Sequence, residues 1–256
     1  MLSSVRHERI LDRLRTAGPT EVAVLSGLLR VSEATVRRDL AHLESQGTLT
    51  RLHGGAALTS APEPPFAQVS TSHLDEKTAV ARSAAALVED GDVVLLDIGT
   101  TTHQLAVELR GRSITVVTSS LAVLEVFEHD TATELIVLGG VLRRNYRSLV
   151  GFITEQALKQ IHVDKLFLGT SGIRADGSVL DTTVVEVPVK QGMIAAADHV
   201  TLVADSDKFP GSGVARVCGP EAINALVTTT GADTTTLDAF RDAGCDVLTA
   251  EAVPND

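Results

Sequence analysis

The chain has 256 residues, 44% of them hydrophobic and 21% charged, with a formal net charge of -11. That composition is ordinary for a folded globular protein and excludes a disordered or collagen-like chain, while the length allows one large domain or two unequal ones. So acidic a chain has no general attraction for nucleic acid or anionic membrane, and any DNA contact has to come from a local basic surface.

Such a surface exists at the front. Residues 1–57 carry eight Arg, no Lys and six Asp plus Glu, a balance of +2, whereas 58–256 carry 14 basic and 27 acidic residues, a balance of -13. The opening stretch MLSSVRHERILDRL is charged throughout and lacks the apolar core of a signal peptide, and no run of about 18 apolar residues occurs, so a cytoplasmic protein with no membrane partner is expected. Cys218 and Cys245 stand far from any CxxC pattern and read as free thiols. The eight histidines never pair at i, i+2 or i, i+4, so neither a metal nor a cofactor is expected.

In chain order, residues 3–16 read as an amphipathic helix built on Val5, Ile10, Leu11 and Leu14 and stopped by Gly18-Pro19. Thr20 is placed to cap a second helix, with Val22, Leu25, Leu28 and Leu29 as its buried set. Ser32 is placed to cap a third, 33–46, ended by Gly47. On the third helix Val36, Leu40 and Leu43 share one face, so Thr35, Arg37 and Arg38 point away from the core. Two helices joined by a short turn, with Thr and Arg on the exposed start of the second, can enter a DNA major groove, and the arginine fork suits phosphate or the guanine edge. The plainer reading is a solvated helix face in which the arginines pair with Glu33 or Asp39. The stretch TLTRLHGGAAL (48–58) alternates Leu49, Arg51 and His53 before Gly54-Gly55 and reads as a hairpin wing beside that helix.

The run from ERILDRL (8–14) through VSEATVRRDLAHLESQG (31–47) to LTRLHGGA (49–56) resembles the N-terminal winged helix-turn-helix of the DeoR family of bacterial transcriptional regulators. The resemblance implies that 33–46 is the recognition helix and 51–55 the wing, with Ser32, Thr35, Arg37, Arg38, Arg51 and His53 as the DNA-binding set. One small head of charge +2 further implies a homo-oligomer, a dimer or tetramer, on repeated half-sites.

Residues 58–73 are rich in Pro, Ser, Thr and Ala and read as a linker, dividing a DNA-binding domain at 1–57 from a body at 74–256. In the body, helices at 75–89, 102–110, 121–128, 151–160, 189–199 and 235–243 alternate with apolar runs at 93–97, 114–118, 135–140, 165–169, 200–205, 225–229 and 246–250. The predicted fold class is therefore α/β, a winged helix-turn-helix followed by a larger α/β domain with a mainly parallel sheet. Ligands of such sheets bind at the carboxyl ends of the strands, and several of those ends carry small or polar residues: 97–102, 118–120, Gly139-Gly140, Gly169-Thr170-Ser171 and 205–208. Gly99 followed by Thr100, Thr101 and Thr102 at a strand-to-helix junction offers N–H groups and hydroxyls to an anion; the alternative is a capped helix start without ligand. Dinucleotide and P-loop fingerprints are absent, which favours a small phosphorylated molecule, with Lys190 or Lys208 supplying a cation.

This half also resembles the DeoR family, through DIGTTTHQLA (97–106), VTSS (117–120), LGG (138–140), DKLFLGTSGI (164–173), EVPVK (186–190) and DSDKF (205–209). The resemblance implies a sensor domain similar in fold to ribose-5-phosphate isomerases and responsive to phosphorylated sugars or related metabolites. Asp97, Gly99, Thr100, Thr101 and Thr102 would form the phosphate loop, and Ser119, Gly139, Gly140, Asp164, Gly169, Lys190 and Lys208 would complete the effector-binding set. Two departures stand out: Ser119 where the family commonly has Asn, and Pro188, which questions how the following helix starts. The implied function is a repressor of carbohydrate-metabolism genes, bound to a double-stranded DNA operator and released by the effector. The alternatives are a sugar-phosphate isomerase with a DNA-binding segment and a purely architectural DNA binder. The isomerases of this fold carry Asp-Gly-Ala-Asp where this chain reads Leu168-Gly169-Thr170-Ser171, so both acids are missing and no enzyme is expected.

Overall fold

The computed structural model describes residues 3–17, 20–45, 49–52, 54–58 and 64–252, which form two compact units, one up to Glu63 and one from Pro64. In the first unit helix α1 (Ser3–Ala17) is followed by a two-residue strand β1 (Thr20–Glu21), helices α2 (Val22–Leu29) and α3 (Glu33–Ser45), and a hairpin of β2 (Leu49–Leu52) and β3 (Gly55–Leu58). The three strands form one antiparallel sheet in the order β1-β3-β2. Gly55 is required where β1 crosses β3, because a Cβ there would lie 2.6 Å from the Thr20 carbonyl oxygen.

Two sequence expectations are corrected in this unit. Thr20 does not cap α2: it pairs with Ala56 in the sheet, and the residue before the helix is Glu21, which makes no side-chain cap bond. Leu28 is 53% exposed, while Val22, Leu25 and Leu29 are buried. The helix has only eight residues, and its inward stripe is narrower than its run of apolar side chains. Arg30 then takes a left-handed backbone, φ 54°, and Ser26 Oγ donates to the Val31 carbonyl at 2.6 Å, which closes the turn. Ser32 caps α3 as expected, its Oγ accepting from the Thr35 N–H at 3.2 Å.

Asp39 ties this unit together. It lies on α3 with 6% exposure and accepts from Arg6 Nη2 at 2.7 Å and from His7 Nε2 at 3.1 Å, both on α1. Burial alone would push its carboxyl up; the bonds from Arg6 and His7 outweigh burial and hold it below the usual carboxylate range.

The second unit begins with helices α4 (Phe66–Thr71) and α5 (Leu74–Ala85). An alternating run follows: β4 (Val93–Leu96), α6 (Thr100–Leu109), β5 (Thr115–Thr118), α7 (Leu121–Phe127) and β6 (Glu134–Val137). A hairpin of β7 (Val141–Arg143) and β8 (Ser148–Val150) leads to α8 (Phe152–Leu158) and β9 (Val163–Leu168). Then come β10 (Gly172–Ile173), β11 (Val179–Asp181), α9 (Val187–Ala195) and β12 (Ala197–Val203). The unit closes with β13 (Ala215–Cys218), β14 (Ala225–Thr229), α10 (Thr234–Asp242) and β15 (Asp246–Ala250).

Seven strands form a parallel sheet in the order β15-β14-β12-β9-β4-β5-β6. The apolar runs of the five inner strands are buried because both faces are covered, whereas the edge strands β6 and β15 stay largely exposed. Val80, Ala81, Leu105, Ala106, Val123 and Phe127 of α5, α6 and α7 pack on one face, and Leu158, Val189, Met193, Leu237 and Phe240 of α8, α9 and α10 pack on the other. Pro188 stands in the first turn of α9, where its missing N–H has no intrahelical partner to lose. The stretch expected to be a linker is partly regular: β3 runs to Leu58, and α4 occupies 66–71 with Phe66 buried. Six residues are too few for a helical period to show in the sequence.

Replacing Asp39 by Asn is expected to destabilise the first unit by about 1–3 kcal/mol, the worth of a charged hydrogen-bond pair. Because the carboxyl is depressed in the folded state, its contribution is present above the unfolded value of about 3.9 and is lost as pH falls through the folded one. Thermal unfolding should therefore separate wild type from variant at neutral pH and bring them together in acid.

Candidate DNA interface and effector site

On α3 the side chains of Arg37 and Arg38 are exposed and Thr35 is half-buried. Arg37 Nη2 donates to Glu33 Oε2 at 2.7 Å, one helical turn back, and the pair lies open to solvent. An exposed pair at this spacing contributes only about 0.3–0.5 kcal/mol, so it offers little resistance to a DNA phosphate. Asp39 is committed to α1 and leaves Arg38 without an acidic partner among the described residues. Arg51 on β2 is exposed, its Nε 3.9 Å from Glu44, and its backbone N–H is held by the same Glu44 at 3.0 Å. Ser32, Thr35, Arg37 and Arg38 thus share the start of α3, with Arg51 on the wing; His53 lies outside the described residues.

In the second unit the strand order reverses between β9 and β4: α6 leaves β4 toward one face, and α9 covers the other. In open α/β sheets ligands bind in a crevice outside the carboxyl ends of the strands at such a point. Its floor is a buried ion cluster. Asp97 Oδ2 accepts from the Gly169 N–H at 2.9 Å and from Lys190 Nζ, and Lys190 also donates to the Gly169 carbonyl at 2.9 Å, with Asp181 Oδ2 at 3.7 Å. The two chains approach so closely that a Cβ on Gly169 would lie 2.8 Å from the Ile98 carbonyl oxygen. Burial works against the Lys190 ammonium, yet Asp97 and Asp181 outweigh it and hold its pKa above the ordinary value. Burial pushes the Asp97 carboxyl up, against the pull of Lys190.

Above this floor, Gly99 takes φ 135°, open only to glycine, and Thr100, Thr101 and Thr102 form the first turn of α6, all buried. Thr102 Oγ1 donates to the Gly99 carbonyl at 3.0 Å, and no side chain caps the helix, whose first N–H groups have no intrahelical partner. Ser119 is buried at the end of β5, and its hydroxyl has no partner among the described residues. Glu186 stands just before α9, with Oε1 accepting from Ser148 Oγ at 2.6 Å and from Arg143 Nη1, while Oε2 is buried without a hydrogen-bond partner among the described residues. Asp97 Oδ1 is likewise buried and unpartnered. Orphaned polar atoms at the ends of β4 and β5 and just before α9 mark this end of the sheet as a candidate place for a polar guest.

Several expected members fall elsewhere. Asp164 lies at the amino end of β9, accepts from the Val93 N–H at 2.8 Å and is exposed, so it does not line the crevice; its place early in the strand puts it on the opposite edge of the sheet. Gly139 and Gly140 follow β6, and the second is needed for packing, since a Cβ there would lie 2.2 Å from Thr154 Oγ1 and 2.7 Å from the Val150 carbonyl. Lys190, expected as a cation for an anion, is already matched by two carboxylates. Lys208 follows β12 at the carboxyl edge, 21% exposed, with Asp207 at 3.8 Å.

Two residues went unnoticed in the sequence. Arg143 bonds Glu186 and also donates from Nη2 to Thr183 Oγ1 at 3.1 Å; the only hint is the pair Arg143-Arg144 in an acidic domain. Lys77 is 2% exposed, its Nζ 3.8 Å from Asp205, and its spacing to Val80, Ala81 and Ala84 puts it on the buried stripe of α5. Burial lowers its pKa against the pull of Asp205. Asp205 itself is buried, its carboxyl pushed up by that burial, and neither carboxylate oxygen has a hydrogen-bond partner among the described residues.

Residues 6–61 match the model of the DeoR-like helix-turn-helix domain and residues 72–230 that of the DeoR C terminal sensor domain. The chain belongs to the DeoR family. Its DeoR relatives include the lactose phosphotransferase system repressor of Staphylococcus epidermidis, 34% identical over 78% of this chain and 81% of that protein. The HTH-type transcriptional repressor CsqR of Escherichia coli is 32% identical over 87% and 86%, and the HTH-type transcriptional regulator GlpR of Haloferax volcanii 32% identical over 97% and 98%. These family and relative names are those of transcriptional regulators, not of enzymes. A solved ribose 5-phosphate isomerase A from Methanocaldococcus jannaschii is similar at a TM-score of 0.40, with 18% identity over 54% of this chain and 55% of that one, too remote to bear on fold or catalysis. No helix among the described residues is long and apolar enough to cross a membrane.

The two glycines of the LGG turn separate packing from binding. Gly140→Ala is expected to destabilise the second unit by about 1–3 kcal/mol through overpacking, whereas Gly139→Ala, whose Cβ would meet only Ile153 Cγ2 at 3.9 Å, should unfold at the wild-type temperature. A calorimetric scan of both variants decides it.

Proposed function

We propose that the protein is a cytoplasmic transcriptional repressor that binds double-stranded operator DNA through α3 and its wing and is released by a phosphorylated sugar or related metabolite. The observation that carries the effector half is the set of unpartnered buried atoms, Asp97 Oδ1, Ser119 Oγ and Glu186 Oε2, beside the uncapped start of α6. Carboxylates and a hydroxyl suit sugar hydroxyls, and helix N–H groups suit a phosphate. Lys77 and Lys208 stand at the same carboxyl edge of the sheet, near Asp205 and Asp207. Leu168 and Ser171 stand where the isomerases of this fold carry their two acids, so the reading is of binding without turnover.

The DNA half rests on Arg37, Arg38, Thr35 and Ser32 at the exposed start of α3, with Arg51 alongside on β2. Homo-oligomerisation belongs to this reading, since one head of charge +2 offers few phosphate contacts and two heads on one DNA face double them. The relatives named for repression support the sign of the effect.

Arg38→Ala is expected to weaken operator binding by about 1–3 kcal/mol if the contact is to a base, and to flatten the salt dependence if it is to a phosphate, with unfolding unchanged. Thr100→Asp puts a carboxylate where the phosphate sits and should give a protein that still binds operator but is no longer released. Mobility shifts at several salt concentrations, with and without sugar phosphates of three, five and six carbons, read both. Normal release of Thr100→Asp by the wild-type effector would place the phosphate elsewhere.

A further inference from the structure

The short helix α4 is held at its start by α6 and the β7–β8 turn and at its far end by Lys77 of α5. At its start Phe66 is buried, its ring edge-on to His103 at 5.8 Å and to Tyr146 at 5.9 Å, and its N–H donates to the Asn145 carbonyl at 3.0 Å. His103 follows Thr102 on α6. Asn145 and Tyr146 lie in the turn between β7 and β8, the hairpin whose Arg143 grips Glu186 and Thr183. At its far end the Val69 and Ser72 carbonyls accept from Lys77 Nζ, the first at 3.0 Å, and Lys77 is the ammonium that stands beside Asp205.

In the chain, α4 is the first element of the second unit after Glu63, where the DNA-reading unit ends. We propose that α4 is a strap that carries the state of the effector crevice to the chain leading to the DNA-reading unit, with Phe66 and Lys77 as its positioning residues. The proposal rests on the effector reading above. The physical reason is competition for donors. The Lys77 ammonium has three N–H groups and now directs them at the carbonyls of Val69 in α4 and of Ser72 just after it, and toward Asp205. An anion drawn to this edge attracts the same ammonium, and a sugar hydroxyl on Glu186 alters what Arg143 holds and so the hairpin turn under Phe66. Either event changes the seat of α4, and a ligand that binds the two seatings unequally shifts their populations.

Coupling of this kind is reciprocal and can be read without knowing the effector. Tyr146 is the only tyrosine and the chain has no tryptophan, so the intrinsic emission of the whole protein reports the Phe66 seat. The test measures amide exchange and tyrosine emission in the full-length protein as wild type, Glu186→Gln, Arg143→Lys and Phe66→Leu. Glu186→Gln should speed exchange of 64–72 roughly 2- to 10-fold, the size expected for weakening one aromatic seat, and shift Tyr146 emission. Arg143→Lys keeps the charge but loses the fork and should do the same if Glu186→Gln does not fold. Phe66→Leu should in turn speed exchange in 97–103 and 143–149. Unchanged exchange of 64–72 and unchanged emission in the folded crevice variants, or a Phe66→Leu effect confined to 64–72, overturns the proposal. Failure of every sugar phosphate to bind would count against the effector reading alone, because none of these measurements uses a ligand.

Discussion

The second unit is organised around one buried ammonium. Lys190 is 2% exposed and lies between Asp97 and Asp181, while Asp97 also accepts from the backbone of Gly169. These contacts join the end of β4, the end of β9, β11 and α9 at the point where the strand order reverses. Removing one partner would strand a buried charge at a cost of about 3–5 kcal/mol, several times the worth of a surface pair. The cluster is therefore a structural floor, and it leaves Asp97 Oδ1 buried with nothing to accept from among the described residues. A lysine so matched is no free cation, which leaves an anion to the N–H groups that open α6.

The same logic runs through the reading unit at smaller scale. Asp39 is the acid nearest in sequence to Arg37 and Arg38, and it is turned inward to Arg6 and His7. Helix packing thus consumes the one carboxylate that would have neutralised the basic face. What remains outside is Glu33, in an exposed pair weak enough to yield to phosphate.

Most of the architecture was legible because its signals are local. The continuous apolar runs of β4, β5, β9, β12 and β14 announced a sheet covered on both faces, and Ser32, Val36, Leu40 and Leu43 announced the capped third helix. The pieces that escaped are short: β1, β10 and β11 have two or three residues, and α4 has six, too few for any period to show. Thr20 illustrates the limit, since a hydroxyl before a helix looks like a cap until a strand far along the chain pairs with it. In the crevice, the Gly99 loop was readable from three consecutive threonines at a strand end. Asp164 was misplaced because the motif containing it runs the length of β9, and one strand carries its two ends to opposite edges of the sheet. Lys77 and Arg143 were missed because their meaning lies in what they touch, Asp205 and Glu186, both more than 40 residues away.

The central claim is that the crevice between β4 and β9 binds a phosphorylated polyol through the first turn of α6 and the free oxygens of Asp97 and Glu186. The most direct measurement is calorimetric titration of the full-length protein with sugar phosphates and with the same sugars lacking phosphate, in wild type and Glu186→Gln. The account predicts that at least one sugar phosphate binds, that its unphosphorylated sugar does not, and that Glu186→Gln weakens the binding at least about tenfold, as expected for a charged hydrogen bond lost. Equal binding of the sugar with and without its phosphate, or undiminished binding in a folded Glu186→Gln variant, would contradict it.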